Sequence, residues 1–301
     1  MEERYCVEEE GNLRMDVYLA EKLEGLSRSY IQKLAKEGKI QVNHKVVKSN
    51  YKLSKGEEIL VEIPEPEPLA ILPEPMDLDI LYEDEDVILV NKPKGMVVHP
   101  AAGHYEHTLV NALLYHCQKD LSGINGVLRP GIVHRIDMDT TGVLIACKND
   151  RAHNSIAEQL KAHSVTRRYQ AIVHGRIAEE EGSVNAPIGR HPIDRKKMSI
   201  NEKNGKPAIT HYRVLQRFSQ FTHIECELET GRTHQIRVHM SSIGHPLLGD
   251  TVYGPSKPPF ALCGQTLHAE VLGFAHPRTG KYMEFHAPLP EYFCELLRRL
   301  S

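Results

Sequence analysis

Apolar residues recur at helical spacing near the start of the chain, between Leu13 and Leu23. Ser27 offers an N-cap for a second short helix, which Gly38 would end. After Gly38 the segments IQVN, KVV and EEILVEI alternate apolar and polar residues as short strands do. The pattern therefore predicts a small α/β unit over residues 13–63.

A longer region, 78–301, mixes strand and helix patterns. Strands are predicted at VILVN, VLIAC, YQAIVHG, HYRVLQRF and THIECELE, and the last two are joined by Ser219 and Gln220 as an antiparallel hairpin. Helices are predicted at TLVNALLYHCQ, RAHNSIAEQLKAH, HQIRVHMSSIG and PEYFCELLRRL. Because hairpins alternate with helices without repeating strand-helix units, the expected class is α+β with a mixed, largely antiparallel sheet.

Between these units, residues 64–77 carry five prolines and four acidic residues. Such a composition stiffens and extends a chain, so we interpret the segment as a linker. The length of 301 residues also favours two units over one core.

Composition points to a protein of the cytoplasm. The six cysteines form no CxxC pair, which argues against a zinc ribbon or a disulfide framework. No apolar run approaches the roughly 18 residues that span a bilayer, and the acidic start does not resemble a signal peptide.

The formal net charge of -3 conceals a strong segregation of charge. Residues 26–55 hold eight lysines or arginines against one acid, whereas residues 62–86 hold ten acids and no base. A basic surface of this kind can bind phosphates whatever the total charge, so a nucleic-acid partner is expected.

Candidate chemistry begins with RPGIVHRIDMDTTG, residues 129–142. Its glycines and prolines place two bases and two acids beside an apolar strand, where functional loops tend to lie. Arg135 and Asp137 are two residues apart and would project to the same side of an extended segment. A surface ion pair is the plainer alternative, and the spacing alone does not choose between Asp137 and Asp139.

Two further segments combine charge with tight turns. In ETGRTHQIRVHM, Gly231 supplies a turn and Thr233 a plausible N-cap, so that His234 and Arg237 share one helical face. In TRRYQAIVHGR, Tyr169 enters a strand directly after two arginines, either as a base-stacking or proton-accepting phenol or as an ordinary half-buried strand residue.

Other common chemistries lack their sequence signatures. His99, His104 and His107 form the densest histidine group, but they lie in a Pro/Gly loop without matching carboxylates, and HExxH does not occur. GxGxxG, GxxxxGK[ST] and GxSxG are absent from the sequence. We therefore expect neither a catalytic metal nor a nucleotide cofactor.

The three charged segments resemble motifs of the RsuA/RluA family of pseudouridine synthases, particularly the RluD-like enzymes of large-subunit ribosomal RNA. HRIDMDTTG is similar to the family loop HRLDxxTSG, which would make Asp137, rather than Asp139, the catalytic aspartate and Arg135 the residue that fills the space of the flipped uridine. RRYQAIVHG and GRTHQIRVHM resemble the next two motifs, which implies Tyr169 and Arg237 as the remaining catalytic residues.

The resemblance extends from about Leu13 to Pro288 and includes NKPKGMVVHP, HPLLGDTVYG and LHAEVLGFAHP. Ile136 and Thr141 depart from the family loop without removing a functional group. The first unit is similar to the alpha-L RNA-binding module of a small-subunit ribosomal protein. Substrate and RNA contacts are expected from His134, Arg232 and His234 in the catalytic unit, and from Arg28, Lys33, Lys36 and Lys39 in the first unit.

The resemblance implies a cofactor-independent isomerisation of uridine to pseudouridine on the pseudouridine synthase fold. A monomer without a required protein partner is the default expectation, on which the sequence itself gives no information. Asp137 would break the C1′–N1 bond either by attack on the sugar or by removing a sugar proton. A non-catalytic RNA-binding protein and a histidine-ligated metal hydrolase remain as alternatives.

Overall fold

A computed structural model describes residues 2–8, 13–23, 26–63, 71–101, 103–118, 120–126, 129–194, 197–257 and 259–301. The chain divides into two compact units, Met1–Leu69 and Ala70–Ser301. None of the helices among these residues is long and apolar enough to cross a membrane.

The first unit packs two helices on a small antiparallel sheet. Its elements are β1 (Glu2–Cys6), α1 (Met15–Lys22), α2 (Arg28–Lys36), β2 (Ile40–Val42), β3 (Lys45–Val46) and β4 (Glu58–Glu62). The sheet order is β1-β4-β2-β3. Leu19, Ile31 and Ile59 are almost fully buried and belong to one core cluster.

Local signals of the first unit behave as predicted at both ends of α2. The Ser27 side chain accepts a hydrogen bond from the Tyr30 backbone N–H, and Gly38 takes a positive φ of 75° just beyond the helix. The strand β1 was not predicted, because EERYC is largely polar. It pairs along its whole length with β4.

The second unit is built on a large sheet. Its elements are β5 (Ile80–Glu83), β6 (Val87–Lys92), α3 (Leu109–Cys117), β7 (Thr141–Cys147), α4 (Asp150–Lys161), β8 (Thr166–His174), β9 (Glu181–Asn185), β10 (Ile188–Arg190), β11 (Met198–Ile200), β12 (Ile209–Arg217), β13 (Phe221–Leu228), α5 (Gln235–Ser242), β14 (Leu267–Ala275), β15 (Tyr282–His286) and α6 (Glu291–Leu300).

The main sheet has the order β5-β6-β7-β14-β8-β13-β12-β9, with β15 paired to β14 and a separate pair β10-β11. Its pairs are antiparallel except for β7 with β14, so the expectation of a mixed, largely antiparallel α+β sheet is confirmed. The predicted hairpin is β12-β13, with one irregularity between Val214 and Gln216.

The parallel pair β7-β14 lies at the centre of the sheet and depends on Gly142. Every residue of β7 is buried. Gly142 has a φ of 110°, and a Cβ there would overlap the backbone of Ala269 on β14. Glycine at the end of the HRIDMDTTG loop is therefore needed for β14 to lie against β7.

Of the expected linker, residues 64–70 lie outside the described residues, and residues 71–77 belong to the second unit. The Asn111 side chain on α3 donates to Leu72 O at 2.8 Å, and the Glu74 backbone N–H donates to Asn111 O at 3.0 Å. Ile71 packs against the main core.

Candidate active site

The loop before β7 is fixed by hydrogen bonds on both sides of Asp137. Upstream, Gly131 exchanges backbone hydrogen bonds with Cys147 and Ser122, at 2.8 and 2.7 Å. The Ile145 N–H donates to His134 Nε2 at 3.1 Å. Downstream, the Thr140 N–H donates to Asp137 O at 3.1 Å and closes a turn. The carboxylate therefore projects from a defined backbone position.

Lys92, the last residue of β6, helps to hold this loop in place. Its Nζ donates to the backbone carbonyls of Pro93, Met96 and Met138 at 2.8 to 2.9 Å, and the residue is 1% exposed. Burial lowers the pKa of Lys92 to about 7, against the opposing effect of the Asp139 and Asp137 charges.

Asp137 contacts a buried arginine that is itself clamped by a second carboxylate. Arg237 Nη1 donates to Asp137 Oδ2 at 3.0 Å, while its Nε and Nη2 form a two-pronged pair with Asp250 at 2.7 and 2.9 Å. Burial alone would lower the pKa of Arg237, but the Asp250 and Asp137 interactions outweigh it and raise the pKa. Arg237 is thus a permanent cation oriented at Asp137.

His234 approaches Asp137 from the other side. Its Nε2 is 3.8 Å from Asp137 Oδ1, and its Nδ1 is 2.8 Å from Tyr253 Oη. Because Tyr253 Oη accepts from the Met198 N–H, its own proton is free to be donated to Nδ1. The imidazole then carries its proton on Nε2, facing Asp137.

The start of α5 differs from the sequence prediction. Thr233 is not the N-cap: the helix begins after His234, which has a left-handed φ of 57° and makes no side-chain cap. The Gln235 side chain instead accepts from the Arg232 N–H and from Thr230 Oγ1. This turn places both His234 and Arg237 against Asp137.

Tyr169 lies on β8 with its side chain 8% exposed. Burial raises the pKa of its phenol, the Arg167 charge lowers it and the Asp137 charge raises it, and the net direction is upward. The phenol is therefore protonated at neutral pH.

These residues line one cavity of about 600 Å³. Asp137 is the carboxylate among the lining residues, and the lining cations are Arg135, Lys161, Arg167, Arg232 and Arg237. A cavity of this size and charge can hold a nucleoside with its phosphates.

Arg135 and His134 also line the cavity, in different ways. Arg135 is exposed and forms no ion pair with Asp137 among the described residues, so the cation in contact with Asp137 is Arg237. His134 is half-buried with its Nε2 already bonded to β7. Burial and the Arg167 charge lower the pKa of His134 to about 3, so its ring is neutral.

The spacing of the sequence did not choose between Asp137 and Asp139, and the structure places them in different surroundings. Asp137 lines the cavity, whereas Asp139 is not among the lining residues. Asp139 lies against Gly264, where an added Cβ would overlap its carboxylate.

The remaining predicted RNA contacts lie on both units. Arg232 lines the cavity, with its Nε donating to Pro207 O at 3.0 Å. In the first unit, Arg28 is exposed and donates to the buried Asp16 at 3.1 Å, as does Arg14 at 3.0 Å. Lys33 pairs weakly with Glu37 at 3.7 Å. Lys36 is exposed and Lys39 half-exposed.

Sequence reasoning assigned no role to Asp250, Tyr253, Lys92 or Arg167. Asp250 lies in HPLLGDTVYG, a segment noted only for its resemblance. The signal in the sequence was a single acidic residue within a largely apolar segment, because a buried carboxylate requires a partner.

One group of potential metal ligands occurs among the described residues: Asp84, Asp86 and His276. His276 Nε2 is 2.7 Å from Asp84 Oδ2, and Arg278 Nε donates to Asp86 at 2.7 Å. The two carboxylates therefore already have hydrogen-bond partners, His276 for Asp84 and Arg278 for Asp86. His99, His104 and His107, the densest histidine group of the sequence, form no such group in the part of the chain that the structure describes.

Comparison with known proteins agrees with this architecture. Residues 86–242 match the RNA pseudouridylate synthase family, and residues 13–59 match the S4 domain. An RNA pseudouridine synthase of Bacillus subtilis, described as uncharacterized, is 57% identical over 97% of this chain and 96% of its own. Ribosomal large subunit pseudouridine synthase D of Zymomonas mobilis is 47% identical over 92% of this chain and 90% of its own.

Among solved structures, human RNA pseudouridylate synthase domain containing 1 is similar, with a TM-score of 0.57 and 25% identity over 79% of this chain and 97% of its own. The chain belongs to the RNA pseudouridylate synthase family, with an N-terminal S4 domain. It is an isomerase that converts uridine to pseudouridine in RNA.

Proposed function

We propose that this enzyme modifies large-subunit ribosomal RNA and that Asp137 breaks the C1′–N1 bond of the target uridine. The observation that carries the proposal is a carboxylate at the wall of the cavity, 3.0 Å from a clamped arginine. The RNA class is inferred from relatives named as ribosomal large subunit pseudouridine synthase D.

The target nucleotide must first leave its stack, because a glycosidic bond inside structured RNA cannot reach the carboxylate. Extruding a base costs about a few kcal/mol. The exposed Arg135 lies at the same cavity, and its planar cation can stack in the vacated place and offset part of this cost.

Asp137 then acts on the sugar, either by attack on C1′ or by removal of the C2′ proton. Arg237 orients the carboxylate through its hydrogen bond, and Asp250 keeps Arg237 in place. The freed uracil rotates and rejoins the sugar through C5.

Tyr169 is proposed to stack on the uracil and to assist removal of the C5 proton. Its ring is almost fully buried at the cavity wall. Because burial raises the pKa of the phenol, it must be ionised before it can accept a proton, and the Arg167 charge favours that step.

The substrate uridine and the RNA around it are proposed to contact Arg232, His234 and His134, which line the cavity. The N-terminal unit would add Arg28, Lys33, Lys36 and Lys39, of which Arg28 is positioned by the buried Asp16. Action on ribosomal RNA would place the enzyme in the cytoplasm. A monomer without a required protein partner stays a prediction, which light scattering can check.

The test is pseudouridine mapping of large-subunit ribosomal RNA from cells that lack the gene. We expect at least one pseudouridine to disappear, to return with the native gene and to stay absent with Asp137→Asn. A complete set of ribosomal pseudouridines in the deletion strain would contradict the assigned RNA class. Restoration by Asp137→Asn would contradict the assigned residue.

A further inference from the structure

Arg167 occupies an unusual position beside the proposed chemistry. It lies on β8 two residues before Tyr169, so both side chains project from the same face of the strand. The residue is 6% exposed and lines the same cavity as Asp137. Of the motif RRYQAIVHG, only Tyr169 was given a role from the sequence.

The guanidinium lacks a counterion. Its Nη2 donates to the backbone carbonyls of Leu228 and Glu229 at 3.4 and 3.0 Å. Its buried Nε has no acceptor, and no carboxylate pairs with Arg167 among the described residues. The neighbouring Arg168 also has a buried Nε without an acceptor, but its charge is paired, because its Nη2 lies 3.0 Å from Glu284 Oε1.

A buried, unpaired cation is costly to a fold unless an anion completes it. The carboxylate of the cavity wall, Asp137, is already engaged by Arg237. Gly231 leaves room for the guanidinium, because a Cβ there would lie 2.5 Å from Arg167 Nη1. The site is thus shaped around a free positive charge.

The proposed reaction generates an anion in this cavity. When the C1′–N1 bond breaks, its electron pair passes to the uracil and spreads over N1 and the two carbonyl oxygens. When C5 bonds to C1′, the charge returns to Asp137, which either leaves C1′ as a carboxylate or gives its proton back to the sugar. C5 then releases its proton and N1 takes one up. Along either route open to Asp137, the base is therefore anionic while it rotates.

We infer that Arg167 stabilises this uracil anion through a hydrogen bond to a carbonyl oxygen, a catalytic role that rests on the function proposed above. A fixed cation aimed at developing charge accelerates a reaction because it binds the charged state more tightly than the neutral one. A phosphate of the RNA is the other candidate anion. The depth of Arg167, next to the ring proposed to stack on the base, favours the uracil.

The test compares native protein with Arg167→Gln, Arg167→Lys and the matched control Arg168→Gln, using ribosomal RNA transcripts tritiated at uridine C5. We expect Arg167→Gln to lower the rate at saturating RNA about 100-fold, as loss of one such donor does elsewhere. RNA affinity should stay within about threefold of native, because the missing interaction is made with the anionic state and not in initial binding. Arg167→Lys should recover part of the rate, and Arg168→Gln should match native.

Other results would overturn the role. A native rate for Arg167→Gln would show that Arg167 has no catalytic role. Weaker RNA binding with a lower salt dependence, but a normal rate at saturating RNA, would instead show that Arg167 binds a phosphate of the RNA. If circular dichroism shows that Arg167→Gln does not fold, Gly231→Ala decides. Its Cβ displaces the guanidinium and should slow the rate without loss of affinity, and an unchanged rate would refute the role. Native protein that is inactive on every ribosomal RNA would instead refute the proposed function.

Discussion

Replacing Asp250 by asparagine tests whether the Arg237 clamp holds the second unit together as well as the site. Asp250 is 2% exposed and forms two hydrogen bonds with Arg237, and its Oδ1 also accepts from the backbone N–H groups of Val252 and Tyr253. Asparagine keeps the shape and the backbone contacts, whereas the negative charge is lost.

Breaking a buried pair by removing one charge costs about 3 to 5 kcal/mol. Asp137 remains 3.0 Å from Arg237 as a second counterion, so we expect Asp250→Asn to lower the free energy of unfolding by about 3 kcal/mol, the lower end of that range. The matched control is Glu180→Gln. Its carboxylate pairs with Arg217 at 2.7 Å but is 79% exposed, so its loss should cost at most about 1 kcal/mol.

The assay is urea unfolding followed by far-UV circular dichroism, since the chain contains no tryptophan. Despite the cost of burial, the Arg237 interactions lower the pKa of Asp250 below its ordinary 3.8. The stabilisation is therefore present above about pH 4 and is lost as the pH falls through the lower, folded-state pKa. A loss no larger than that of Glu180→Gln at pH 7 would refute the reasoning.

Three further predictions concern other residues. Tyr169→Phe keeps the aromatic ring but removes its hydroxyl group. RNA affinity should therefore persist, while the rate of tritium release from uridine C5 should fall about 100-fold. A native rate would exclude a proton-transfer role for Tyr169. The double variant Arg28→Gln, Lys36→Gln should bind RNA with a weaker dependence on salt. The slope of log affinity against log salt concentration should fall by about 0.7 to 0.9 for each phosphate that the variant no longer binds. An unchanged slope would exclude a role of these side chains in phosphate binding. Lys92 has a pKa lowered to about 7 by burial, so the folded state releases a proton that the unfolded state keeps up to about pH 10.5. Native stability should therefore rise relative to Lys92→Met between pH 7 and 9, by at most about 1.4 kcal/mol per pH unit in urea titrations, and equal slopes would contradict that pKa.

Local patterns predicted local structure well. The Ser27 cap and the β12-β13 hairpin follow from capping and alternation, which depend on residues close in sequence. The strand β14 was not predicted, because LHAEVLGFA is buried on both sides and shows no alternation.

The motifs named the candidate site residues, but they did not reveal the contacts that hold those residues in place. Asp137, Arg237 and Tyr169 meet at one cavity as the resemblance implied. The clamp of Asp250 on Arg237 and the unpaired state of Arg167 depend on contacts between distant segments, which periodicity and spacing cannot reveal. The cap of α5 was wrongly assigned to Thr233, because His234 adopts a left-handed backbone that its sequence does not signal.

The central claim is that Asp137 performs the chemistry. It is tested most directly by single-turnover tritium release from uridine-C5-labelled ribosomal RNA, with Asp137→Asn compared to Asp139→Asn at equal RNA occupancy. We predict no release above background from Asp137→Asn and clear release from Asp139→Asn. Release at the native rate from Asp137→Asn would contradict it.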